Sequence, residues 1–169
     1  MSAEAAARPG ASAGAARRIR AVLLVWVAAL AATDLAIKAL AEALLSSGAT
    51  IDLGLINLRL LYNTGVAFSL GAGLAPWIIV AATGLIIAGL TWYALSSAPS
   101  MTGVSRAGAA LLLGGAAGNF IDRLDGRGVV DYLHTGWFAT FNLADAFVTA
   151  GVALFILGTI LSQRTRDRD

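Results

Sequence analysis

The chain contains no cysteine. Disulfides, thiol nucleophiles and Cys-ligated metals are thereby excluded. It has one histidine, His134, which cannot make a zinc site alone, and no HExxH motif or phosphate-binding loop is present. A serine protease would depend on that one histidine, and Ser69 has no nucleophile motif around it. A Ser–Lys pair built on Lys38, the sole lysine, lacks a positioned serine. Charge is scarce as well: only 13% of residues are Asp, Glu, Lys or Arg, against 58% hydrophobic. That balance exceeds what a soluble core requires and points to an integral membrane protein.

Four runs of about 20 mainly apolar residues, the length that crosses roughly 30 Å of hydrocarbon as a helix, lie at 21–40, 75–95, 103–121 and 143–161. The first is no cleavable signal: its leading segment is too long, it holds Asp34 and Lys38, and no small-residue cleavage site follows. The expected organisation is a disordered cytoplasmic tail over 1–20, a four-helix membrane domain over 21–161 and a cytoplasmic tail over 162–169. Arg8, Arg17, Arg18, Arg20, Arg106, Arg164, Arg166 and Arg168 fall on one side of that topology, and Arg59, Arg123 and Arg127 on the other. By the positive-inside rule both termini are cytoplasmic and two loops face outward. Distributed this way, the basic residues form no single basic face, and no nucleic-acid partner is expected.

The outward loops hold the unusual sequence. The first, about 41–74, contains "IDLGLINLRLLYNTGVAFSL", whose β-branched and large apolar residues mixed with Gly and Asn suggest short strands or an interfacial element. So much Leu, Ile and Phe is expected to rest on the membrane surface or cover a groove. The second, about 122–141, carries Tyr132, Trp137 and Phe138, which suit the headgroup level. By contrast, "SSAPSMTGVSR" reads as a plain cytoplasmic turn. In the third run Gly114 and Gly118 stand four apart and allow close approach of a neighbouring helix, for which bundle packing is sufficient reason.

Each polar residue in these runs has an ordinary reading beside a functional one. Asp34 and Lys38 share a helix face in the favourable order and are expected to pair, either as an anchor or as part of a site. Asn119 and Arg123, one turn apart, either finish a helix end or brace a site, with the Arg fork holding a carboxylate or backbone carbonyls. Asp122 between them likewise either braces a site or is solvated at the helix end, and Asp125 and Arg127 read as solvated. Asn142 and Asp145 form an N-x-x-D pattern suited to capping the last helix. Asp131 and Asp145, fourteen positions apart at the same expected interface, can meet if the loop between them folds back. Two carboxylates within hydrogen-bond reach share one proton, so that one serves as base and the other as acid. Such a pair can activate water against a peptide carbonyl without metal or cofactor. An ion-coupled transporter using Asp34 and Lys38, or a non-catalytic membrane scaffold, are the alternatives; no paired broken helices favour the first.

Taken together, "DLAIK", "NTGVAF", "GGAAGNFIDR" and "VVDY" followed by "FNLAD" resemble the lipoprotein signal peptidases, or signal peptidase II, in order and spacing over residues 23–161. One departure is Leu35, where the family usually has Gln. The resemblance implies a membrane-embedded aspartic endopeptidase of the bacterial cytoplasmic membrane. Its four transmembrane helices would carry a small extracytoplasmic β element and a short interfacial helix. It implies Asp131 and Asp145 as the catalytic dyad, and Asn63, Asn119, Arg123, Asn142, Asp34 and Lys38 as supporting or substrate-positioning residues, with Asp122 outside the dyad. The implied substrate is a prolipoprotein cleaved just before a cysteine that already carries diacylglycerol, with the scissile bond at the outer face. No cofactor is implied, membrane lipid is the surrounding partner, and a monomer is expected.

Overall fold

The computed structural model describes residues 9–65 and 73–166. Four long helices, α1 (Pro9–Leu45), α2 (Pro76–Ser97), α3 (Gly103–Arg123) and α4 (Leu143–Arg166), carry a three-stranded antiparallel sheet at one end. Its strands are β1 (Thr50–Asp52), β2 (Asn57–Asn63) and β3 (Val129–His134), in the order β1-β2-β3.

Three helical segments, Ala13–Leu45, Pro76–Ser97 and Leu143–Arg164, are long and apolar enough to cross a membrane. The third apolar run differs because α3 lies inside the bundle, packed against α1, α2 and α4. A helix surrounded by protein needs small residues more than oily ones, and its buried face is Ser105, Gly108, Ala109, Ala110, Gly114 and their neighbours. Gly114 abuts Leu30 of α1, and Gly118 abuts Asp34; a Cβ at these glycines would stand 2.6 Å from Leu30 Cβ and 2.5 Å from Asp34 Oδ2. Both expected glycines therefore seat α1. A second line, Gly108 and Gly115 of α3 with Gly151 of α4, brings the α3 and α4 backbones together. Meanwhile Trp77, Leu85, Ile86 and Trp92 of α2 stand outward, where lipid replaces protein as their apolar surroundings.

The helix ends follow local chemistry. Pro76 occupies the first turn of α2, where its missing N–H is harmless. Thr102 caps α3, its hydroxyl accepting from Ser105 N at 3.1 Å. The expected turn between them contains one 3-10 turn, Ala98–Ser100. The start of α1 corrects an expectation: residues 9–20, read as part of a disordered tail, are helical, because their Ala and Arg are strong helix formers continuous with the apolar run. Residues 1–8 lie outside the described residues.

At 37 residues α1 spans about 55 Å, well beyond the hydrocarbon thickness. Its far end supports the sheet: Ala41 and Leu45 pack with Tyr132 of β3, flanked by Leu58, Leu133 and Leu143. The two outward loops are thus joined into one layer, since β2 from the first pairs with β3 from the second. Of the first loop's apolar residues, Leu53 and Leu55 project from the β1–β2 hairpin, Leu55 being 91% exposed. No interfacial helix is present among the described residues; residues 66–72, including part of "NTGVAF", lie outside them.

Candidate active site

Strand alternation sends Asp131 to the side of β3 opposite Tyr132. On β2, Leu61 faces Asp131 and Asn63 faces Val129 across the ladder, and all four residues line one cavity. The next link depends on the chain reversing after β3. Phe141 returns antiparallel to Leu133, with Leu133 N donating to Phe141 O at 2.8 Å and Phe141 N to Leu133 O at 3.0 Å. Asn142, the next residue, is carried back beside Asp131 and begins α4.

Asn142 does two tasks. As helix cap its Oδ1 accepts from Asp145 N at 3.0 Å, while its own N donates to Asp145 Oδ2 at 3.2 Å, a reciprocal capping box. With Oδ1 occupied by a donor, its amide nitrogen turns the other way and donates to Asp131 Oδ1 at 2.6 Å. One residue thus caps α4 and connects the two aspartates. Asn63 repeats the logic: Gly65 N donates to its Oδ1 at 3.0 Å, leaving Nδ2 to donate to Asp131 Oδ2 at 3.2 Å.

Beneath this pair lies Lys38, 2% exposed, whose ammonium meets Asp34 Oδ2 at 2.8 Å, Asp122 Oδ2 at 2.9 Å and Asn119 Oδ1 at 2.8 Å. Its three donors are all used. Because lysine can only donate, it holds Asn119 with the carbonyl inward and Nδ2 toward Asp145 Oδ1, at 2.8 Å. Asp34, fully buried, also accepts from Ala144 N at 2.9 Å, tying α1 to the first turn of α4. Arg123 binds carbonyls: its guanidinium donates to Asn119 O at 2.8 Å and to Gly65 O at 3.0 Å.

The cavity, about 1070 Å³, has Asp131, Asp145, Asn119 and Arg123 at its polar end. It continues between α2, represented by Thr83, and one face of α4 made by Ala146, Thr149, Ala150 and Ala153. Phe138 and Phe141 form its rim, and Trp137 stacks edge-on against Phe138 at 5.7 Å. Burial pushes the Asp131 carboxyl up to about 6, aided by the neighbouring Asp145 charge and opposed by the Asn63 and Asn142 hydrogen bonds. Asp131 therefore retains a proton further into the neutral range than an ordinary carboxyl.

All eight residues singled out from the sequence belong to one network. The expected Asp34–Lys38 pair is present, and the Arg123 fork takes backbone carbonyls. Asp122 binds Lys38 and accepts from Val130 N at 3.1 Å, holding the end of α3 to β3. Its i,i+3 relation to Asn119 was the only local sign. Asp125 and Arg127 are exposed as expected, yet Arg127 pairs with Asp125 at 2.7 Å and Glu42 at 2.9 Å and lies over the Tyr62 ring. His134 contacts Thr140 Oγ1 at 3.1 Å.

The profile of the family described as signal peptidase (SPase) II matches residues 26–161. Lipoprotein signal peptidases of Brucella ovis and Brucella melitensis are each 42% identical over 136 residues, covering 78% of this chain and 84% of theirs. Two solved structures of bacterial membrane enzymes, obtained by the in meso method at 2.3 Å and 1.9 Å resolution, share the fold. Their TM-scores are 0.74 and 0.69 at 24% identity, covering 88% and 81% of this chain and 92% and 91% of theirs.

Proposed function

Since the chain belongs to the signal peptidase II family of membrane aspartic peptidases, we propose that it cleaves diacylglyceryl-modified prolipoproteins immediately before the lipidated cysteine, using Asp131 and Asp145. The observation that carries the assignment of residues is the Asn142 bridge between two carboxylates at the polar end of one cavity.

In this mechanism Asp145 is the base and Asp131 the acid. The positive end of α4 and the N–H groups of Asn119 and Asn142 support negative charge at Asp145. Burial favours the proton on Asp131. Asp145 takes a proton from a water molecule as its oxygen attacks the scissile carbonyl carbon, and Asp131 gives its proton to the carbonyl oxygen. The tetrahedral diol then collapses: Asp131 recovers the hydroxyl proton, Asp145 delivers its proton to the departing nitrogen, and the C–N bond breaks. The products are a signal peptide carboxyl end and a free amino group on the lipidated cysteine. Both aspartates return to their starting states.

The apolar stretch of the cavity along α4 suits a signal peptide with small residues near the scissile bond, while the acyl chains stay in the bilayer. The reading also takes α3 as a fourth transmembrane helix, both termini as cytoplasmic, the dyad as facing outward and the chain as monomeric. The excess of arginine beyond the end away from the sheet supports that orientation. Asn63, Asn119, Asn142 and Arg123 position the dyad or substrate, with Asp34 and Lys38 bracing them.

The decisive experiment is cleavage of a diacylglyceryl-modified prolipoprotein in detergent, with the product site read by mass spectrometry. Asp131→Asn and Asp145→Asn should each lower kcat/KM by about 1,000-fold or more. Full cleavage by either folded variant would remove that aspartate from the mechanism.

A further inference from the structure

The end of the bundle away from the sheet has its own groove, of about 580 Å³, between the first half of α1 and the start of α3. That volume lies within the roughly 300–1,000 Å³ typical of small-molecule sites. Its wall is apolar, formed by Val22, Leu23, Trp26 and Leu30 of α1, and Arg18 and Arg106 line it as well. Among the described residues the arginines there have no carboxylate partner. Among the described residues every Asp and Glu belongs to the sheet half of the molecule: Asp34, Glu42, Asp52, Asp122, Asp125, Asp131 and Asp145. Arg17, Arg18, Arg20, Arg106 and Arg164 therefore share one end with no carboxylate among the described residues. Two neighbouring arginines are tied to carbonyls instead: Arg20 Nε donates to Leu95 O at 2.9 Å and Arg106 to Ala98 O at 3.4 Å. The second contact is long, and carbonyl bonding neutralises neither charge.

We infer that this groove binds an anionic glycerophospholipid, its phosphate held by Arg18 and Arg106 and one acyl chain lying along Val22, Leu23, Trp26 and Leu30. Two features select this occupant. The arginine forks match a phosphate geometrically and face no anion among the described residues. The apolar wall continues from them along transmembrane α1, a direction that a phospholipid chain follows and a soluble anion does not use. A zwitterionic lipid could fill the wall but would leave the arginines with no net compensating charge.

The test uses the full chain with Trp77, Trp92 and Trp137 each changed to Phe, so that Trp26 is the only tryptophan. Reconstituted in phosphatidylcholine vesicles, it is titrated with phosphatidylglycerol or phosphatidylcholine carrying a brominated acyl chain. Phosphatidylglycerol should quench Trp26 at about 10-fold lower mole fraction. Arg18→Gln with Arg106→Gln should abolish that preference, and a chain retaining only Trp92 should show none. Ala107→Phe, which fills the groove and leaves both arginines intact, should also abolish it and decides the matter if the double Gln variant does not fold. Equal quenching by both lipids would reduce the groove to ordinary lipid contact and overturn the proposal. So would a preference that survives either change in a folded protein, or one abolished by inorganic phosphate, which would make the ligand a free anion.

Discussion

At the sheet end of the bundle the buried charges are matched to one another: Lys38 meets Asp34 and Asp122, and Asp131 and Asp145 are met by asparagine N–H groups. At the other end Arg17, Arg18, Arg20, Arg106 and Arg164 face no carboxylate among the described residues. The difference follows from where each set stands. Charges removed from water must find partners inside the protein, because an unpaired buried ion is strongly unfavourable. Charges at the edge of a bilayer can use water and lipid phosphate, so the fold need not supply a counter-ion. The same residue type is structural at one end and available at the other.

Breaking the matched end should have the largest effect on stability. Lys38→Met leaves Asp34 and Asp122 without their cation and should lower unfolding stability by about 3–5 kcal/mol. Unfolding in mixed micelles measures this, and a change below about 1 kcal/mol would mean that the network tolerates its loss.

Asp131 should behave in the opposite sense. Its folded-state value near 6 lies above the ordinary 3.8, so the stability it contributes is fully present below about pH 3.8 and is lost as pH rises through 6. The shift of about 2.2 corresponds to at most roughly 3 kcal/mol lost by neutral pH. Asp131→Asn, inactive by the mechanism above, should therefore unfold at higher temperature than the parent at pH 8, with the gain vanishing at pH 4. In the parent, kcat/KM should fall about tenfold per pH unit above 6 as the acid ionises. A profile flat from pH 6 to 8 would assign the proton elsewhere.

Gly118→Ala sharpens the comparison without touching a charge. Its Cβ would crowd Asp34 Oδ2 at 2.5 Å, the oxygen that Lys38 holds, while Ala144 N holds Oδ1. A loss of about 1–3 kcal/mol is expected, together with reduced cleavage as the support under Asn119 shifts. At the unmatched end Arg18→Gln should change stability in detergent by no more than about 0.5 kcal/mol, since the exposed side chain has no internal partner to strand.

Much of this site was legible because its pieces are local. The i,i+4 spacing of Asp34 and Lys38, the N-x-x-D cap at Asn142 and the glycines four apart in α3 all follow from helix geometry, which relates residues within a turn. The partner of Asp122 was not legible, because Lys38 lies on another helix. Nor was the length of α1, whose far end is stabilised by burial under Tyr132.

The sequence by itself determined the membrane class, the helical segments, the uneven arginines and the chemical types available for catalysis. Only the tertiary structure decided which of them meet. Asn63 reaches Asp131 across 68 residues because β2 pairs with β3, and Asn142 reaches Asp131 because Phe141 doubles back on Leu133. Local periodicity carries no information about such pairings. They arise when separate loops satisfy one another's backbone groups and bury a common face.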